Sequence, residues 1–159
     1  MKKLLVLLIF FSTSSCNNDL FKSKAKFTIL AGQSFGFCIG PCYQTITING
    51  DNSYIEFYVK YVDSKGLHDI SKEETFADQL ELKEWEAILK EVDFKSFRKL
   101  EKVYGCPDCA DGGSEFIEIE KKGEVHRVIF EYNKSIKGFD KLVQLLHDER
   151  AKLSHKYVN

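Results

Sequence analysis

An Asn-Gly pair at positions 49 and 50 stands between two stretches of alternating side chains, and it constrains the fold more than any other feature. Before it, residues 43–49 set Ile46 and Ile48 on one face and Thr45 and Thr47 on the other. After it, residues 54–62 set Ile55, Phe57, Val59 and Tyr61 opposite Glu56, Tyr58 and Lys60. A period of two buries one face of a strand and leaves the other wet, and Asn-Gly tolerates the positive φ of a tight turn. The unit expected is a half-buried antiparallel hairpin.

The same plan recurs later. Residues 115–120 and 125–132 alternate around a Lys122-Gly123 turn, and residues 27–30 are apolar enough for a short first strand. Between the hairpins, residues 81–92 carry Leu82, Trp85, Ile88, Leu89 and Val92 on one helical stripe, with Glu84, Glu86, Lys90 and Glu91 on the other. Ser71 and Glu74 have capping-box spacing. Asp93 is placed to cap a second short helix with Phe94, Phe97 and Leu100. A last helix is expected over 136–153, with Phe139, Leu142, Val143 and Leu146 inward. Strands joined by turns rather than by crossovers give an α+β fold. The expectation is an antiparallel sheet of about five strands built from two β-hairpins, with two or three helices packed on one face.

Composition excludes whole classes. The chain has 159 residues, 43% hydrophobic and 13% aromatic, which is too apolar for a disordered chain. Its formal net charge is -1, and its lysines alternate with glutamates, as at Lys121, Lys122 and Glu124. Without a basic patch there is nothing to neutralise a phosphate backbone, so no nucleic-acid partner is expected.

The first residues carry an address. Met1, Lys2 and Lys3 form a positive end, followed by an apolar run over 4–11. A membrane-spanning helix takes about 20 residues, so this run fits the apolar region of a secretory signal peptide. Thr13, Ser14 and Ser15 are small and precede Cys16. Ser14-Ser15-Cys16 resembles the lipobox of bacterial lipoproteins, with Thr13 in place of the more usual leucine, as in Bacteroidetes-type lipoproteins. The resemblance implies cleavage before Cys16 and diacylglycerol and palmitate chains on that cysteine. Two or more acyl chains are needed for a stable anchor. The expected organisation is a signal peptide over 1–15, a lipid-anchored polar tether over 16–26, and a single domain over 27–159. Removing Lys2 and Lys3 leaves the mature chain at about -3. The expected location is the cell envelope, on a bacterial membrane, with the domain in the periplasm or at the cell surface.

Four further cysteines sit in Gly/Pro-rich turns, as Cys38-Ile39-Gly40-Pro41-Cys42 and Cys106-Pro107-Asp108-Cys109. In an exported chain the default is two disulfides, with three possible pairings. Chain entropy favours a link between the turns. That link closes a loop of about 68 residues and is worth roughly 4 kcal/mol, against about 2 kcal/mol for a bridge within either turn. Local closure remains open, because a turn at Pro107-Asp108 brings its ends within about 7 Å. Two other chemistries use the same residues. Cys38, Cys42, Cys106 and Cys109 could form a four-thiolate zinc site, although the first pair has three intervening residues and an oxidising compartment disfavours free thiolates. Cys106 and Cys109 also have dithiol spacing for thiol exchange, yet a strand rather than a helix N-terminus is expected to follow them.

Other candidates are weaker. Asp108, Asp111 and Glu115 surround Gly112-Gly113 but lack the alternating oxygens of an EF-hand. His68, His126, His147 and His155 are scattered, no serine sits in a nucleophile elbow, and Glu118, Glu120 and Trp85 fit a solvent face and a core stripe. Neither a cofactor nor a catalytic set is expected.

Cys38, Gly40, Cys42 and Tyr43 resemble the opening of an uncharacterised domain of Bacteroidetes-type exported lipoproteins, in which a Cys-x-Gly-x-Cys turn leads to a tyrosine and a β-hairpin. Pro41 precedes the second cysteine, whereas the family proline follows it. The Cys106–Gly113 segment looks like a subgroup feature. The resemblance implies localisation and architecture and carries no activity. The function expected is a non-enzymatic, membrane-tethered binding or envelope-accessory domain with an unknown protein or small-molecule partner. A thiol redox or zinc protein is the first alternative. An inhibitor of a secreted enzyme is the second, and an exposed patch around Phe35 and Phe37 would favour it.

Overall fold

The computed structural model describes residues 26–63 and 70–158. The signal peptide, Cys16 and nearly all of the tether expected from the sequence lie outside the described residues, as does His68.

The two alternating stretches form the expected hairpin. They are strands β2 (Gly40–Asn49) and β3 (Tyr54–Val62), paired antiparallel with Ile46 opposite Phe57 and Ile48 opposite Ile55. The connection is longer than a two-residue turn, and neither Asn49 nor Gly50 takes a positive φ. The Gly50 amide instead donates to the Phe27 carbonyl (2.9 Å). The second hairpin follows its sequence signal more closely. Strands β6 (Ser114–Lys121) and β7 (Glu124–Glu131) meet at Lys122 and Gly123, with φ of 56° and 81°. Two positive φ values are what a tight type I′ turn needs.

The first strand, β1 (Phe27–Ser34), is longer than 27–30 and joins the two hairpins, pairing antiparallel with β2 on one side and β6 on the other. Two strands were not expected. β4 (Ile70–Gln79) pairs antiparallel with β3 along its length, so Ser71 and Glu74 lie in a strand and cap no helix. β5 (Val103–Tyr104) pairs parallel with β7. Among the described residues the sheet therefore has seven strands in the order β4-β3-β2-β1-β6-β7-β5, and it is mixed. The α+β class stands, while five strands and a wholly antiparallel sheet are corrected. The reason is local. β4 is charged at four of its ten residues and gains strand structure from its partner, and β5 is too short to show a period.

Among the described residues, two of the three α-helices begin at acidic caps. In α1 (Leu82–Glu91) the Glu81 amide donates to Glu84 (3.0 Å) in a reciprocal capping box. In α2 (Phe94–Phe97) the Asp93 carboxylate accepts from the Ser96 amide (3.2 Å). The last helix, α3 (Asp140–Tyr157), starts later than 136, because Gly138 takes a φ of 86° and a turn from Ile136 to Phe139 comes first. Leu82, expected on the inward stripe of α1, is exposed.

Register places Ile29, Ala31, Ile46, Ile48, Phe57, Ile117 and Val128 on one face of the sheet, where they pack with Ile88, Phe97, Leu142, Leu146 and Leu153 from the helices. Apart from Ala31, each such side chain contributes about 1.5–3 kcal/mol of burial. One ion pair lies within this layer. Arg150 of α3 donates to Glu115 at the start of β6 (2.6 Å), and both are almost fully buried. On the other face Phe116 is buried beneath the Arg127 guanidinium (4.4 Å from the ring), which in turn pairs with Glu118 (2.8 Å). Among the described residues no helix is long and apolar enough to cross a membrane.

Candidate functional site

β1 runs from Phe27 at one end of the sheet to Ser34 at the other, a span of roughly 23 Å at strand rise. Ser34 pairs with Ser114, so the segment after β1 and the segment before β6 emerge side by side at the same end. These segments and the start of β2 carry all four domain cysteines, and together they make a tip at the end of the sheet opposite Phe27.

Both disulfides are local. Cys38 pairs with Cys42 and Cys106 with Cys109, each with a Cα separation of 5.5 Å. The cross-link that chain entropy favours is absent from this pairing. Each turn already holds its own cysteines at bridging distance.

The turns are coupled by other means. The Asp108 carboxylate accepts from the Gly36 amide of the first turn (3.3 Å) and from the Gly113 amide of its own (3.2 Å). Asp108 also donates its amide to the Gly113 carbonyl (3.0 Å). The Phe35 ring meets Tyr132 edge-on at 4.8 Å and lies over Gly113, where any side chain would collide with it. With a φ of 78°, Gly113 answers two demands at once, a left-handed turn and a close ring.

The first turn presents apolar groups outward. Phe37 is 64% exposed and Ile39 is 71% exposed, while Cys42 between β2 neighbours is buried at 3%. The Phe35 amide donates to the Cys42 carbonyl (3.1 Å), closing the base of the loop. Phe35 and Phe37, paired by sequence as one patch, thus separate into a buttress and a displayed ring. The second turn is largely exposed, apart from part-buried Pro107 and buried Gly113. Asp108, Ala110 and Asp111 take φ values of 60°, 53° and 58°, and the Cys106 amide donates to Glu131 (2.9 Å). Beside Cys106 and Cys109 a shallow hollow of about 240 Å³ reaches Glu131, Tyr132 and Lys134. Three left-handed non-glycine residues in one turn are strained and are held by their surroundings.

The remaining sequence candidates disperse. Glu115 belongs to the buried ion pair and Asp108 to the amides of Gly36 and Gly113, so with Asp111 they do not converge on a calcium loop. His126 contacts the Leu100 carbonyl (3.1 Å) and stands edge-on to Phe97. Trp85 packs against the core, as its spacing implied, and among the described residues its indole N–H has no acceptor. Among the described residues no three His, Cys, Asp or Glu side chains are grouped to hold a metal ion.

One titrating cluster was not legible in the sequence. Glu149 of α3 is pushed up to about 7, first by burial and then by the neighbouring Glu84 carboxylate of α1. The Lys152 ammonium, 2.8 Å from Glu84, holds that carboxyl below its ordinary range. Protonated Glu149 donates to Glu84, and the trio fastens α1 to α3 on the side of the helical layer. Glu84 and Lys152 lie 68 positions apart in the chain, so spacing alone cannot match them.

No protein-family model matches the chain, and comparison with curated proteins gives no match either.

Proposed function

We propose that the chain is an exported lipoprotein, cut before Cys16 and anchored through lipid on that cysteine, and that its domain is a non-enzymatic binding module working through the double-cystine tip. The observation that carries this is the pinned first turn. It displays Phe37 and Ile39 to solvent while Cys42 and Phe35 hold it from behind. Exposed apolar side chains on a rigid loop lose little conformational entropy on binding, which favours recognition. The tip lies at the sheet end opposite Phe27, so a tether entering at Phe27 would carry it away from the membrane. The resemblance of Cys38, Gly40, Cys42 and Tyr43 to the Bacteroidetes-type lipoprotein domain supports the same placement.

The test is a photoreactive phenylalanine analogue placed at Phe37 in producing cells, with Leu82 on α1, also 64% exposed, as the comparison site. Discrete adducts at position 37 that vanish in the Ile39→Asp background support the tip. Identical adducts at both sites, or none at position 37, overturn it. Acyl labelling that is lost in Cys16→Ser tests the anchor separately.

A second function is favoured by the same loop. A cystine-pinned projection with exposed apolar side chains suits the cleft of a secreted hydrolase, which would make the protein an inhibitor. Inhibition of a purified secreted protease that is abolished by Phe37→Ser supports that role. Thiol exchange at Cys106 and Cys109 has less support. Both cysteines are exposed, but Glu131 offsets Lys134 in the hollow beside them, so little there favours a reactive thiolate.

A further inference from the structure

The sheet treats its two edges differently. At one edge β5 adds two residues, and the chain around it shields β7, with the Ile129 amide donating to the Lys102 carbonyl (2.9 Å) and Arg98 reaching Glu124 (3.0 Å). At the other, β4 offers ten residues, and among the described residues no strand pairs with its outer side. A row of amide and carbonyl groups of that length is a template for strand addition.

The order of charges along β4 selects an occupant. We propose that β4 joins two copies of this chain into one continuous antiparallel sheet, about a two-fold axis passing through Thr75. This axis sets Thr75 against its own copy, Glu73 against Ala77 and Lys72 against Asp78. Moving it to Lys72, Glu73 or Glu74 places a charge against itself, and moving it to Phe76 places Glu74 against Asp78. Like charges directly opposite in a ladder oppose pairing, whereas opposite charges and β-branched threonine pairs favour it. The flanking contacts fit the same register. Lys72 already holds Glu74 at 2.8 Å, and Asp78 already holds Lys156 at 2.7 Å. Docking therefore sets Glu74, Lys72, then Asp78 and Lys156 of the second copy, in a row of alternating sign. A two-fold interface repeats this row twice. Dimerisation would present two tips on one sheet, but the inference does not depend on what the tips bind.

Thr75→Cys in the full, exported chain tests the axis. A residue on the axis meets its own copy at about 5 Å, within disulfide reach, and the expected result is a reductant-sensitive dimer on a non-reducing gel. Gln79→Cys, about eight positions or roughly 27 Å from its own copy in this register, stays monomeric. Lys72→Glu and Asp78→Lys each weaken self-association by about tenfold, and mixing the two variants restores it, because the mixed pair regains both opposite-charge contacts. Absence of a Thr75→Cys dimer overturns the proposal, as does equal cross-linking of Gln79→Cys. A monomer whose outward-facing β4 amides are strongly protected from exchange also overturns it, and would point to another occupant, such as residues 16–25.

Discussion

The two cystine turns at the tip have similar spacing and different construction. The Cys38–Cys42 turn is seated on the core. Cys42 is buried, Phe35 rests against Tyr132, and the loop turns Phe37 and Ile39 outward. The Cys106–Cys109 turn lies on the surface and is organised by hydrogen bonds to Asp108 and Glu131, with three non-glycine residues held at positive φ. One turn is held by packing and displays apolar groups. The other is held by polar contacts and serves as its brace. A disulfide therefore does not by itself tell which of two turns recognises a partner, whereas what lies beneath each cystine does.

The comparison breaks most completely at its root. Glu115 opens the strand that leads out of the second turn, and Glu115→Ala leaves the Arg150 guanidinium buried and unpaired. A loss of about 3–5 kcal/mol in urea unfolding is expected, with the tip disturbed along with the core. Removing the bridges one at a time sharpens the contrast. Cys38→Ala with Cys42→Ala is expected to cost about 3 kcal/mol, and Cys106→Ala with Cys109→Ala about 2 kcal/mol. Chain entropy is similar for both, and only Cys42 leaves a cavity. Equal losses would sink the distinction between a seated turn and a surface turn.

Changing pH acts on neither bridge but on the helical layer beneath. Glu149 has its folded pKa raised to about 7, so its contribution is full below the ordinary glutamate range and is lost as pH rises through about 7. Glu149→Gln is therefore expected to match the parent near pH 4 and to be more stable at pH 8, by on the order of 1–2 kcal/mol after screening by Lys152 and solvent. A thermal melt at both pH values checks the sign.

Two smaller changes separate brace from display. Asp108→Ala leaves the Gly36 and Gly113 amides without their acceptor. It is expected to cost about 1–2 kcal/mol, with faster exchange of both amides in NMR. Ala110→Gly relieves a left-handed alanine and is expected to stabilise by about 1 kcal/mol, raising Tm by a few degrees. If Ala110→Gly destabilises instead, the turn's backbone is not where strain is held.

Much of this architecture was legible in the order of side chains. Period-two alternation found β2, β3, β6 and β7, the Lys122-Gly123 pair fixed the second turn, and Glu81 and Asp93 marked helix starts. β4 escaped because an edge strand buries little on its outer side, so Lys72, Glu73, Glu74 and Asp78 could be charged without harm. There the pairing with β3 overrode a helix-like capping signal. The cysteines were visible as two turns, but their pairing was not. Loop entropy depends on sequence separation alone, whereas the bridge that forms depends on which sulfurs the backbone already brings together.

The sequence by itself determined most of the elements, though not β4 or β5, along with the α+β class and the cysteine-bearing turns, because those follow from periodicity, capping and turn chemistry within a few residues. Only the tertiary structure decided that both turns share the end of the sheet opposite Phe27, that Phe35 supports while Phe37 is displayed, and that Glu115 meets Arg150. These contacts join positions far apart in the chain, and their formation rests on the pairing of β1 with both β2 and β6.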